Sequence, residues 1–150
     1  MSKKIVVGCD EAAYSLKEDV KKHLEEKGYD VIDVGVYNTE PSLYPETAEK
    51  LCKEIIDGNA PQGILMCGTG IGMAITANKM PGIRAAVCHD IFSTERSRKS
   101  NDCQVMCMGA RVIALQSALM LVDRWLECDF AGGGSTEKVE LMNEIDRKYR

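Results

Sequence analysis

The chain has 150 residues, of which 45% are hydrophobic and 28% charged, the profile of one globular domain that folds without disulfide or metal staples. A net charge of -4 argues against a nucleic-acid surface, and no apolar run is long enough to span a membrane. The seven cysteines form no CxxC pair and only one CxxxC spacing (Cys103, Cys107), so neither a zinc site nor a disulfide framework is expected. Reduced thiols in a cytoplasmic protein fit this pattern best.

In chain order, Ile5-Val6-Val7 reads as a first strand, an apolar run too short for a signal peptide. A helical stretch follows to Lys27, with Leu16, Val20, His23 and Leu24 at three- and four-residue spacing; His23, among Lys and Glu, reads as solvated. Gly28 stops this helix and residues 31–34 form a second strand. Pro45 stands where a helix starts, and Ala48, Leu51, Cys52, Ile55 and Ile56 give it an apolar face ending at Gly58. Ile64-Leu65-Met66 is a third strand, followed by a glycine-rich turn and a helical segment reaching toward Pro81-Gly82. Residues 85–87 and 105–107 are the fourth and fifth strands, with a helix at 91–99 between them. Helices at 115–128 and 136–149 close the chain, the last one charged and exposed. All four prolines fall between elements. Strands alternating with helices imply right-handed crossovers and a parallel sheet covered on both faces. The expected architecture is one doubly wound, Rossmann-like α/β domain over residues 1–150, with five parallel strands and an extra C-terminal helix.

In such folds ligands bind beyond the carboxyl ends of the strands. Polar or reactive groups stand at each exit: Asp10-Glu11 after the first strand, residues 67–72 after the third, His89 after the fourth, Arg111 after the fifth. The loop Cys67-Gly68-Thr69-Gly70-Ile71-Gly72 is the strongest local signal. Alternate glycines let N–H groups converge at a helix N-terminus, a cradle for an anion, although a tight turn without chemistry uses the same residues. The loop fails both nucleotide templates, since Met73 and Ile75 stand where a dinucleotide fingerprint needs glycine and no Gly-Lys-Ser/Thr ends it. Cys67 opens the loop, beside the positive end of the helix dipole, and can serve there as nucleophile or general base. Asp10 and Glu11 read equally well as an acid/base pair and as a helix cap. Arg84, Arg96, Arg98 and Arg111 are candidate phosphate ligands, or solvated surface.

With these residues assembled, the chain resembles the B-type ribose-5-phosphate isomerases and the related galactose-6-phosphate isomerase subunits. The resemblance runs from Ile5 to about Ile145 and rests most on residues 67–72 and on Asn78-Lys79-Met80-Pro81-Gly82-Ile83-Arg84-Ala85, with further matches at Gly8-Cys9-Asp10-Glu11-Ala12, Tyr44-Pro45, Asn101-Asp102 and Gly109-Ala110-Arg111. It implies cofactor-free, metal-free aldose–ketose interconversion of a sugar phosphate through a cis-enediolate. The implied assembly is a homodimer whose active sites take residues from both subunits. Cys67 would then move the proton between C1 and C2, Thr69 would assist at the substrate oxygens, and the N–H groups of Gly68, Gly70, Ile71 and Gly72 would hold the enediolate oxygen. Asp10 and Tyr44 match sugar-contacting positions, and Asn101 and Arg111 match positions given by the partner subunit.

The departures from the family pattern bear on the substrate. Glu11 stands where most ribose-phosphate members carry His, as it does in the galactose-type A subunit. Ser100 replaces the histidine credited with ring opening. Gly132-Gly133-Gly134-Ser135 and then Lys138 replace a Gly-Gly-Arg-His stretch followed by Arg. Ser100 and Lys138 are therefore expected at the substrate in altered roles, on a sugar phosphate of four to six carbons. The alternative is a non-catalytic binding or partner subunit of a heteromeric isomerase.

Overall fold

Every residue from Ile5 to Cys9, from Gly63 to Cys67 and from Val105 to Gly109 is buried, as strands covered on both faces must be. These segments are the three central strands of the computed structural model, which describes residues 3–150. The elements are β1 (Lys3–Cys9), α1 (Tyr14–Glu26), β2 (Tyr29–Asp33), α2 (Tyr44–Ile56), β3 (Gly63–Cys67), α3 (Ile71–Ala77), β4 (Ala85–Val87), α4 (Ile91–Lys99), β5 (Val105–Gly109), α5 (Leu115–Glu127) and α6 (Thr136–Lys148). Single 3₁₀ turns at Glu11–Ala13 and Gly133–Ser135 precede α1 and α6. All strand pairs are parallel, in the order β2-β1-β3-β5-β4.

Alternation along the strands divides the core. Ile5, Val7, Cys9, Ile64, Met66, Met106 and Met108 pack with α1 and α5, centred on the fully buried Trp125. Val6, Leu65, Cys67, Val105 and Cys107 pack with α2 and α3. Each fully buried Leu or Ile contributes roughly 1.5–3 kcal/mol by leaving water. Because α1 covers one face and α2 the other, the chain reverses winding between β1 and β3. Folds of this kind hold their ligands beyond the carboxyl ends of the strands at that switch point.

Two local expectations change. Helix α3 ends at Ala77 rather than running toward Pro81, because Asn78 leaves the helix to pair with the entry of β4. Its Oδ1 accepts from the Ala85 N–H at 2.9 Å and its Nδ2 donates to the Ala85 carbonyl at 2.9 Å. His23, expected in solvent, reaches Asp123 on α5 at 2.7 Å and ties the two helices of that face.

Candidate active site

Cys67 is the last residue of β3, nearly buried, and its Sγ accepts a hydrogen bond from the Gly70 N–H at 3.1 Å. The bond exists because Gly70 takes φ of 80°, a left-handed conformation open to glycine. A Cβ there would also stand 3.0 Å from the backbone of Met108, so β5 presses directly on the loop. A Cβ at Gly109 would come 2.6 Å from the Thr69 backbone, and one at Gly72 would overlap the Tyr44 ring. Loop 67–72 is thus clamped between the end of β5 and the first residue of α2. Thr69 Oγ1 accepts from the Ile71 N–H at 3.2 Å, which leaves its own hydroxyl hydrogen free to donate. The N–H groups of Gly72 and Met73 open the first turn of α3 and have no acceptor within the helix.

The other cysteines lack this setting. Burial pushes Cys9, Cys52 and Cys103 each up to about 12, and pushes Cys88 and Cys107 up as well. None of these five is placed to ionise near neutral pH.

The exit of β1 stands directly beside that of β3, the Asp10 N–H donating to the Met66 carbonyl at 3.2 Å. Asp10 Oδ1 caps the 3₁₀ turn, accepting from the N–H groups of Ala12 at 3.0 Å and Ala13 at 3.2 Å, so the capping reading of Asp10 holds. Burial, and then the neighbouring Glu11 charge, raise its carboxyl above the ordinary value. Glu11 goes the other way. The Ser42 hydroxyl donates to its Oε2 at 2.6 Å and holds the carboxyl below its ordinary value. Arg111 favours the charged form of both carboxyls. Its Nη1 lies 3.4 Å from where a Gly68 Cβ would be, and its N–H donates to the Gly68 carbonyl at 3.0 Å. Arg111, expected from a partner subunit, therefore stands in its own chain's site, because β5 lies beside β3 in the sheet.

Ser42 and Lys17 carry no signal that singles them out in sequence. Ser42 sits in a polar stretch without periodicity. Lys17 is one of several lysines on α1, distinguished only by falling on the apolar stripe with Ala13, Val20 and Leu24. Its ammonium is fully buried and bonds both Asp33 oxygens, at 3.0 and 2.9 Å, and the Val36 carbonyl at 2.6 Å. Tyr14 and Tyr37 flank it at 5.4 and 5.1 Å. The pair anchors the start of the segment that delivers Ser42 to Glu11 and Tyr44 to Gly72.

His89 is bound rather than free: its Nε2 accepts from the Gly109 N–H at 2.8 Å, and burial holds the imidazole pKa below the ordinary value. Arg84 and Arg98 hold the backbone around residues 101–103 rather than lining the site. Ser100 and Asn101 precede β5, at the amino edge of the sheet, and β5 alone separates that edge from Cys67 by about 13 Å. Lys138 is exposed on α6, which bonds to the Gly82 and Arg84 segment entering β4 at the same edge. One chain thus gathers Asp10, Glu11, Tyr44, Arg111 and loop 67–72, and does not bring Ser100, Asn101 or Lys138 to them. Among the described residues, no three His, Cys, Asp or Glu side chains converge as a metal site, and no helix is long and apolar enough to cross a membrane.

Ionisable groups gathered at the switch point of a parallel sheet mark an α/β enzyme, and the relatives this chain matches over nearly its whole length make it an isomerase. The chain belongs to the ribose/galactose isomerase family, whose model matches residues 5–142. It is 53% identical over 147 residues to a "Ribose-5-P isomerase B" of Listeria innocua, covering 98% of this chain and 99% of the relative. It is 49% identical to a "D-erythrulose-4-phosphate isomerase" of Pectobacterium atrosepticum, covering 97% of each. The solved ribose-5-phosphate isomerase B of Clostridium thermocellum superposes with a TM-score of 0.96 at 41% identity, covering 98% of this chain and 99% of that one.

Proposed function

We propose that this sugar-phosphate isomerase shuttles a proton between C1 and C2 of its substrate with Cys67 as the base. The Cys67 thiolate removes the proton from the carbon next to the carbonyl. The electron pair left behind forms the enediolate double bond, and the carbonyl oxygen takes the negative charge. The hydroxyl proton passes from the neighbouring oxygen to the oxyanion by way of the Thr69 hydroxyl, and the second oxygen becomes the new carbonyl. Returning the first proton to the neighbouring carbon completes the aldose–ketose exchange. The observation that carries this reading is the Gly70 N–H to Cys67 Sγ bond at 3.1 Å, which sets the sulfur in the same loop as donors for the oxyanion. The N–H groups of Gly68 and Gly72, with the Thr69 hydroxyl, are those donors, since the N–H groups of Gly70 and Ile71 already bond Cys67 Sγ and Thr69 Oγ1. Each preorganised donor of this kind is worth roughly 3 kcal/mol at the transition state. The chemistry calls for no metal and no cofactor.

The substrate we propose has four carbons. Ser100 is a poor acid where the family pattern has the histidine credited with ring opening, and Glu11 is held in its charged form by Ser42. A tetrose or tetrulose phosphorylated on its terminal oxygen cannot close a five-membered ring, so it needs no ring-opening acid. The name of the Pectobacterium relative supports the same choice.

The working unit we propose is a homodimer in the cytoplasm. A second copy supplies Ser100, Asn101 and Lys138, which one chain holds at the wrong edge for its own Cys67. Exposed Ile71 and Ile75 on α3, and Leu141, Met142 and Ile145 on α6, offer apolar surface for that copy. Seven free cysteines suit a reducing compartment. The test is a panel of four- to six-carbon aldose and ketose phosphates followed by proton NMR, with the oligomeric state fixed by sedimentation. A dimer with higher kcat/KM on a tetrose phosphate than on ribose 5-phosphate is expected. A monomer, or a clear preference for ribose 5-phosphate, would contradict the corresponding part.

A further inference from the structure

We infer that Arg84 is a positioning residue that acts across the dimer, fixing the Asn101 turn and α6 of one chain for the active site of the other. This rests on the shared-site reading above.

Arg84 enters β4 and is largely buried, yet it stands outside the active site of its own chain. Its guanidinium is committed in three directions. Nε donates to the main-chain carbonyls of Asn101 at 3.0 Å and Asp102 at 3.1 Å. Nη2 donates to the Asp102 carbonyl at 2.8 Å. Nη1 donates to Asn143 Oδ1 on α6 at 2.8 Å. Arg98 holds the same turn from its other side, through Asp102 Oδ1 at 3.2 Å and the Cys103 carbonyl at 2.7 Å.

The turn needs such a clamp. Asp102 has φ of 48°, a left-handed conformation that non-glycine residues adopt at a cost. The acceptors are chiefly backbone carbonyls, so the guanidinium sets the path of the chain. The Asn101 main-chain N–H donates to the Arg96 carbonyl at 3.2 Å, while its side-chain amide has no hydrogen-bond partner among the described residues and is available to a ligand. Through Asn143 the same guanidinium sets the register of α6, whose first turns carry Lys138. One planar, five-donor group thus links the two segments that the shared-site reading gives to the second copy. Lysine, a point charge on a flexible stem, cannot hold both at once.

The test is subunit complementation. Arg84→Lys should lower kcat/KM about tenfold, mainly through KM, because it loosens contacts to bound substrate while leaving Cys67 intact. Asn143→Ala, which removes only the α6 arm, should give a smaller loss in the same direction, and it keeps the test open if Arg84→Lys folds poorly. When Arg84→Lys is mixed and exchanged with Cys67→Ala, each hybrid joins an intact Cys67 to an intact Arg84 clamp at one of its two sites. Measured as kcat/KM, below saturation, the mixture should then recover about a quarter of the wild-type value, against about a twentieth before exchange. A residue acting only on its own chain's fold or site gives no such recovery. No gain over the two parents, in a preparation where Cys67→Ala and Asn101→Ala chains do complement, would overturn the role of Arg84 and leave the shared site standing. Failure of that control pair after confirmed exchange would remove the shared site itself, and the role of Arg84 with it.

Discussion

The Ser42 hydroxyl donates to the Glu11 carboxylate at 2.6 Å, joining the exit of β1 to the segment that enters α2. That bond is the main reason the Glu11 carboxyl lies below its ordinary value, and Arg111 adds to it. A donor to the charged form favours that form, so removing it raises the pKa. Ser42→Ala should move the acid limb of the kcat/KM profile to higher pH, toward a Glu value of about 4.3. Comparing the two profiles across the acid range checks this. An acid limb that does not move would show that turnover does not depend on the charge of Glu11.

Ser100 carries the second expectation. Restoring an imidazole by Ser100→His should raise kcat/KM for ribose 5-phosphate more than for a tetrose phosphate, since only the former has a ring to open. Proton transfer by a placed side chain is worth roughly a hundredfold or more in rate. Parallel kinetics on the two substrates measure the gap, and an unchanged ratio would mean that ring form is not what Ser100 governs.

The buried Lys17–Asp33 pair sets a stability expectation. Burial on its own would raise the Asp33 carboxyl, but the Lys17 ammonium and the Gly35 N–H overcome it and hold the group below its ordinary value. A carboxyl depressed in the folded state stabilises the fold above its unfolded pKa of about 3.9 and loses that contribution as pH falls through the folded value. Asp33→Asn leaves the fully buried Lys17 charge with only the exposed Glu18 carboxylate, at 3.5 Å, and should cost about 3 kcal/mol at neutral pH. Urea midpoints of both proteins at neutral and acid pH test it. The difference between them should shrink on the acid side.

Much of the fold is legible in the sequence because each element obeys a local rule. Valine and isoleucine runs mark the strands, apolar stripes mark α2 and α5, and prolines fall in the gaps. The glycine loop is legible for the same reason: its spacing demands close backbone approach, and Met108, Gly109 and Tyr44 supply it. The rest depends on tertiary contacts that no spacing encodes. Ser42 meets Glu11 from 31 residues away, and Lys17 meets Asp33 from 16. Arg84 resembles a phosphate ligand until its bonds to the Asn101 and Asp102 carbonyls are seen. Arg111 falls in its own chain's site because β5 inserts between β3 and β4, an order that chain sequence does not reveal.

Exhaustive chelation should leave the rate unchanged. The proposed proton transfer uses a thiol and N–H donors, and among the described residues no His, Cys, Asp or Glu cluster has the arrangement of a metal site. Loss of activity restored by one added divalent cation would contradict this.

The most direct measurement follows solvent deuterium into the carbon-bound positions of the substrate. In deuterated water the wild-type enzyme should place deuterium at C1 or C2 during turnover, because the Cys67 proton exchanges with solvent before it returns to carbon. Cys67→Ala should lose both exchange and net isomerisation by about a thousandfold while binding substrate as before, the mark of a group that acts in the transition state. Exchange at a near wild-type rate in that variant would contradict Cys67 as the base.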